Sequence, residues 1–493
     1  MGKLFRKVQN LSDSSIFVLV FLYGLFIRLP FFFRDYIDRD ESSFIIMGQS
    51  WVDGHLPFTT LWDVKPTLNF FFFAVIIKIF GKSFIAIRVA GVLLVSITAF
   101  YTYKLTASQT TKRIGAITAF SCVILQSLFG SLQGVMSEHI AMAFLTPAIW
   151  LLSRNHSSNL YWLVIGGLVG CSLMVKLNLA YVALFLGLAI TYLAYFRTKK
   201  LFSVSKPMLY GIGILSIIGL TLLPYYLEGL LPLWWRSVIE APLAYAGARQ
   251  YSTLKLFFYL LPFLAILVIG VRKGVFKTNN ATTIYLMVAT LGTLVAFLKS
   301  GRVNGHYLIL IYPLILPLVA LLVSKSLKGS IKSIGIIVAA LLVLIPIESY
   351  LEYYAIAKHK IQRGSFFNGE GIAVPEYLSQ KGLETGDAFF AEFHIGYWVL
   401  GINPITKAAT QPSNILKDEM FFAYENPRKT GEEELQHIIE EISPRYIITR
   451  KNRRVFDKKK YNANFYINLQ LLKGYQPLDT IDTAVIHQKL ELE

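Results

Sequence analysis

From residue 15 to residue 347 the chain is a succession of apolar runs, near 15–33, 84–104, 114–133, 138–153, 160–176, 178–196, 208–227, 256–271, 282–298, 306–323 and 331–347. Each is about the length that carries a helix across a hydrocarbon core. In lipid every backbone N–H and C=O must be satisfied within its own segment or a closed barrel, and uninterrupted apolar runs of this length choose the helix. The expected fold class is an α-helical polytopic membrane protein of about 11 spans. With 54% hydrophobic and 16% charged residues and a mean hydropathy of +0.52, the composition lies well outside that of soluble domains.

The formal charge of +18 raises the question of nucleic acid. The basic residues, however, fall in short clusters between apolar runs: Lys3, Arg6 and Lys7; Lys112 and Arg113; Arg197, Lys199 and Lys200; Arg272, Lys273 and Lys277; Lys325, Lys328 and Lys332. That distribution marks cytoplasmic loops and excludes nucleic acid as a partner. Cys122 and Cys171 lie in apolar stretches and support neither a disulfide framework nor a thiolate metal site. The run Ile16–Phe33 is too long for a signal-peptide core and stays attached as the first span, and Arg6 rules out myristoylation.

The apolar block 67–80 is decided by parity. If it crossed fully, every later basic cluster would move outside; as an interfacial helix it keeps them all cytoplasmic. The first outer loop, 34–66, then shares the outer face with Glu138, Lys176, the segment 228–255 and G-R-V-N-G-H-Y at 301–307. Ionisable residues at membrane depth are costly and mark function, which makes the loop with Asp38, Asp40, Glu41, Asp53, Asp63 and Lys65 the leading active-site candidate. Residues 1–348 are expected to form the membrane domain. Residues 349–493 are polar, with helix-like stretches at 375–381 and 432–442 and strand-like ones (A-F-F-A-E-F, R-Y-I-I-T-R, A-V-I-H-Q). They are expected to form a small extracytoplasmic α/β domain, with the basic run 451–460 a solvated face near anionic lipid.

Asp40 and Glu41 precede S-S-F-I-I-M-G-Q-S-W-V, a segment suited to the interface. A carboxylate there can deprotonate an acceptor hydroxyl, or simply complement a helix start. Lys65 offers an ammonium at headgroup depth, or snorkels. Glu138 is a second acid, or a capping residue with Ser137 as N-cap, and His139 is a metal ligand or a structural imidazole. Lys176, with Asn178, reads as a headgroup contact or a turn. Arg302, His306 and Tyr307 bring a cation, an imidazole and a phenol to the start of a span, for phosphate or as an interfacial anchor.

In these residues the chain resembles the GT-C superfamily of membrane glycosyltransferases, in the branch of protein O-mannosyltransferases and the aminoarabinose transferase of lipid A. The resemblance is carried by Asp40-Glu41 after the first span, G-x-x-P-F at 54–58, Lys65-Pro66, F-G-K-S-F-I-A-I-R at 80–88, Ser137-Glu138, and G-R-x-x-x-H-Y before I-Y-P. It implies an inverting hexosyl or pentosyl transfer from a polyprenyl-phosphate sugar to a hydroxyl of a glycan, lipid or protein acceptor. Asp40 would be the base, Glu41 its neighbour, Glu138 the second acid, and Lys65 the donor-phosphate contact. Arg302, His306 and Tyr307 join the phosphate side on charge, and Lys176 and Arg88 are candidate lipid or acceptor contacts. The aminoarabinose transferases carry an acid immediately before Lys-Pro, where this chain has Val64; a divalent cation is left open, with no cofactor assigned. Membrane lipids are the remaining partners. The expected localisation is multi-pass in a bacterial inner membrane, with the site and C-terminal domain on the periplasmic face that the basic clusters define; an endoplasmic-reticulum enzyme would share the topology. A flippase for lipid-linked saccharide and a non-catalytic envelope assembly factor are the alternatives. The first predicts mid-bilayer charges and repeat halves, and the second leaves the polar groups without a shared purpose.

Overall fold

The computed structural model of the chain describes residues 11–35, 38–128, 130–154, 158–195, 205–248, 251–277, 280–302, 304–326 and 341–490. The principal helices are α1 (Asp13–Arg28), α2 (Arg39–Val52), α3 (Thr67–Phe80), α4 (Phe84–Ala107), α5 (Lys112–Leu125), α6 (Ser137–Leu152), α7 (Asn159–Val175), α8 (Ala180–Tyr195) and α9 (Ser205–Leu227). They continue with α10 (Thr253–Arg272), α11 (Ala281–Ser300), α12 (Tyr312–Ser326), α13 (Ile347–Arg363), α14 (Glu370–Gln380) and α15 (Tyr461–Gly474). Among the described residues six helices are long and apolar enough to cross a membrane: Asp13–Phe33, Phe84–Ala107, Leu177–Ala194, Ser205–Leu227, Thr253–Arg272 and Ala281–Ser300. Thr67–Phe80, Ser137–Leu152, Asn159–Val175 and Tyr312–Ser326 are shorter apolar helices. The chain is thus a multi-pass membrane protein, although the described helices do not establish eleven spans. The expected run 114–133 is a 14-residue helix ending at Leu125. The expected run 331–347 lies largely outside the described residues.

The chain divides into two compact units. The first comprises Met1–Phe31, Arg88–Leu223 and Ala246–Tyr353. Its helices approach closely where side chains are smallest: a Cβ on Gly166 of α7 would lie 2.1 Å from the Tyr210 carbonyl oxygen of α9, and one on Gly213 of α9 would lie 2.3 Å from that of Leu163. Small residues let membrane helices pack backbone to backbone, which replaces the hydrophobic drive that lipid removes. At the end of α1, Arg28 is fully buried and donates to the carbonyls of Gln126 (3.3 Å), Leu132 (2.8 Å), Gln133 (3.0 Å) and Gly134 (2.8 Å). A guanidinium presents five donors in a fixed fork, and here it clamps the turn that follows α5.

The second unit comprises Phe32–Ile87, Pro224–Tyr245 and Tyr354–Glu493, so the first polar loop belongs to the same compact unit as the C-terminal segment. Its sheet has the order β1-β2-β4-β3, with β1 (Phe389–Phe390) parallel to β2 (Tyr446–Arg450), and β4 (Ala484–Lys489) antiparallel to both β2 and β3 (Tyr475–Ile481). Three of these strands follow the stretches read from the sequence, while β3 and α15 carried no signal strong enough to be read. The segment expected at the interface, 42–52, is instead mostly buried: in α2 residues Glu41 through Gly48 are all covered. Gly48 explains how, because a Cβ there would stand 2.6 Å from the Phe73 Cβ of α3. We expect Gly48→Val to overpack this contact at a cost of about 1–3 kcal/mol, lowering the apparent melting temperature of detergent-solubilised protein followed by tryptophan fluorescence; an unchanged melt would mean that α2 and α3 do not meet closely.

Candidate functional site

Two polar clusters emerge, one in each unit. In the second unit the main-chain turn before α2 is fixed by Asp38, whose carboxylate caps the helix by accepting from the Asp40 N–H at 2.8 Å. Asp40 and Glu41 therefore occupy the first helical turn, where negative charge suits the macrodipole. Their side chains differ: Glu41 is 1% exposed, whereas the Asp40 side chain retains 24% exposure. Both Asp40 oxygens are oriented. Oδ2 faces Lys65 Nζ at 3.3 Å, and Oδ1 accepts from Gln411 Nε2 at 2.8 Å. Ser413 Oγ donates in turn to Gln411 Oε1 at 3.1 Å, which fixes the amide's direction. Lys65 also lies 5.5 Å from the centre of the Phe44 ring.

The surroundings of this pair are rigid. Trp62 N–H donates to Thr410 Oγ1 (3.3 Å) and its indole N–H to Ser237 Oγ (3.0 Å), and its ring meets Tyr424 edge to face at 4.8 Å. These contacts hold the loop that carries Lys65. Arg39 pairs with buried Glu392, to which Arg450 and Arg453 also turn at 3.7 and 3.6 Å. His394 Nε2 lies 3.1 Å from both Ser43 Oγ and the Arg39 carbonyl. Burial, with the Arg39 guanidinium second, pulls the His394 imidazole down to about 3, so it stays neutral and acts as a structural bridge.

Asp63, two residues before Lys65, is 2% exposed, and its Oδ1 has no hydrogen-bond partner among the described residues. Burial pushes its carboxyl up to about 6, with Lys65 pulling against the shift and Asp40 adding to it. Because the folded value exceeds the ordinary 3.8, this group favours folding most fully below about pH 4, and that contribution is lost as pH rises through about 6. Asp63→Asn is therefore expected to stabilise the protein at about pH 8, by on the order of 3 kcal/mol at most. The gain should shrink toward about pH 5 in thermal melts across that range.

In the first unit Glu138 is fully buried. Its Oε1 pairs with Lys176 Nζ at 2.6 Å and lies 3.8 Å from His306 Nε2, while Ser137 Oγ donates to Oε2 at 3.0 Å. Lys176 Nζ also sits 4.5 Å over the Tyr307 ring, a cation–π contact that desolvation strengthens. Four sequence candidates thus meet in one place. Ser137 is not the N-cap; Met136 holds that position. His139 uses both ring nitrogens locally, Nδ1 accepting from the Met136 N–H at 3.1 Å and Nε2 lying 2.7 Å from the Gln126 carbonyl oxygen. Arg302 donates to the Ala248 carbonyl at 3.0 Å. Arg88 is 1% exposed and donates to the Phe31 carbonyl at 2.5 Å.

The family model for dolichyl-phosphate-mannose-protein mannosyltransferase matches residues 64–224. No curated protein sequence matches. The apo crystal structure of ArnT from Cupriavidus metallidurans superposes with a TM-score of 0.62 at 11% identity, over 97% of this chain and 99% of that one. The same protein bound to undecaprenyl phosphate gives 0.59 at 12% identity, over 97% and 98%. In fold this chain is like ArnT.

The groups that sequence reasoning missed are Gln411, Glu392 and His394, which meet Asp40, Arg39 and Ser43 of α2, and Arg450 and Arg453, which turn to Glu392; all five lie in the C-terminal segment. Arg28 was missed as well, hidden in an apolar run. Among the described residues no group of three or more His, Cys, Asp or Glu side chains is placed to hold a metal ion.

Proposed function

We propose that this chain transfers a sugar, with inversion, from a polyprenyl-phosphate-linked donor to an acceptor hydroxyl on the outer face of the membrane, with Asp40 as general base. The observation that carries the reading is the oriented, partly exposed Asp40 carboxylate with Lys65 beside it. The donor class rests on the likeness in fold to ArnT, which has been solved with undecaprenyl phosphate, and on the match that begins at Val64.

The reaction follows from these groups. The acceptor O–H gives its proton to an Asp40 oxygen as the acceptor oxygen attacks the anomeric carbon. The bond from that carbon to the phosphate oxygen breaks, and its electron pair leaves on the phosphate. Lys65 moves from Asp40 to this phosphate, which frees Oδ2 for the proton and neutralises the charge that develops on the leaving group. Gln411 keeps Asp40 pointed throughout. Glu41 supports the first turn from within the protein. The cluster of Glu138, Lys176, His306 and Tyr307, with Arg302, is assigned within the first unit to phosphate binding, where paired charges can exchange partners with an incoming phosphate. Arg88 we assign to supporting that region of the fold.

The reading is tested by sugar transfer from a panel of radiolabelled polyprenyl-phosphate sugars in reconstituted vesicles, with and without added divalent cation. Transfer of label to an acceptor supports it. Donor crossing the bilayer without transfer would instead favour a flippase.

A further inference from the structure

Helix α15 turns an apolar stripe outward. Tyr461, Phe465 and Leu472 are 70%, 70% and 82% exposed and fall at i, i+4 and i+11, on one side of a helix, with the exposed amide of Asn468 among them at i+7. The opposite side, with Ala463, Asn464 and Ile467, is buried. Soluble surface helices show the reverse pattern. The stripe is bounded by charge at both ends: Lys458 and Lys459 precede it and Lys473 follows it, all exposed. The preceding loop, 451–460, holds six Lys or Arg and one acid.

This loop is fastened to the helix. The Asn464 side chain accepts from the Phe456 N–H at 3.0 Å and donates to the carbonyls of Asp457 (3.1 Å) and Lys460 (2.8 Å). The apolar stripe and its basic flank therefore form one preorganised surface, and presenting it costs little ordering entropy.

We propose that this surface docks on the bilayer itself, with the stripe of α15 in the headgroup–acyl boundary and the 451–460 loop on anionic headgroups. Aromatic and aliphatic side chains on one face, with lysines at the ends, suit a helix lying in the interface plane. The charge argues against a second copy as occupant, because pairing two such surfaces would bring two positively charged loops together. An anionic bilayer is complementary to both parts, and it is always at hand for a chain with six helices of crossing length. The proposal is independent of the transfer reading.

The test uses the full chain with Cys122→Ala and Cys171→Ala, one copy per nanodisc. An NBD probe is attached at Phe465→Cys or, as reference, at the exposed Lys381→Cys. Lipids carrying a quencher near the headgroup should quench the probe at 465 at least about twofold more than at 381 when phosphatidylglycerol is present. Lys458→Gln with Lys459→Gln should reduce that excess. Equal quenching at the two positions overturns the proposal. So does an excess at 465 that ignores both phosphatidylglycerol and the lysines, or one that appears only with two copies per disc.

Discussion

Asp40→Asn is expected to lower sugar transfer by about 10³-fold while leaving donor binding within about twofold. Asn has nearly the shape of Asp and keeps an oxygen for the Gln411 amide, so the first turn of α2 should survive. What it removes is the capacity to take a proton, and a positioned general base contributes about 10²–10⁴ in rate. It also removes the charge that holds Lys65 at 3.3 Å, so the ammonium is freer to meet the donor and the KM for donor should not rise. The measurement is the initial rate of transfer in reconstituted vesicles, with donor affinity from a separate binding assay. If Asp40 served only the helix start, the variant would cost no more than about 1 kcal/mol of stability and would turn over normally; turnover within about fivefold of wild type would move the base elsewhere, to Glu41 or Glu138.

Lys176→Met should destabilise the protein by about 3–5 kcal/mol, the typical cost of removing one partner from a buried ion pair. Glu138 is fully buried and Lys176 Nζ stands 2.6 Å from it, so the variant leaves a carboxylate without its nearest counter-charge. Adding Glu138→Leu should restore much of the loss, because an apolar pair of similar volume is often as stable as the ion pair it replaces. Denaturant unfolding of the two single variants and the double variant gives the coupling energy. Strictly additive losses would show that Glu138 and Lys176 do not depend on each other.

The membrane helices were legible because a spanning segment must be apolar along its whole length, so its boundaries are written in composition. Even there α5 ends at Leu125 rather than 133, since Arg28 draws the Gln126–Gly134 turn onto itself, a tertiary effect that no hydropathy window contains. The grouping of Glu138, Lys176 and His306 was approachable from sequence because each interrupts an apolar run where a charge is expensive. Gln411 was not. It reaches Asp40 from 371 residues away, and a lone amide in a polar segment looks like any other. The burial of α2 was half-visible: Ser42, Ser43 and Gly48 are the small residues a close helix contact needs, yet the same stretch reads equally well as an interfacial face until its partner, α3, is in place.

The Arg28 clamp bears on how the chain is made. Its guanidinium leaves the ribosome with α1, but the carbonyls that receive it lie 98 to 106 residues further on. At ordinary synthesis rates of about 5–20 residues per second, that is a wait of roughly 5–20 s. During this interval a helix end carries a charge whose final acceptors do not yet exist. An arginine at a helix end can meet that interval by reaching to water and headgroups at the interface, and the protein's own carbonyls replace those partners once α5 and the turn beyond it have been made.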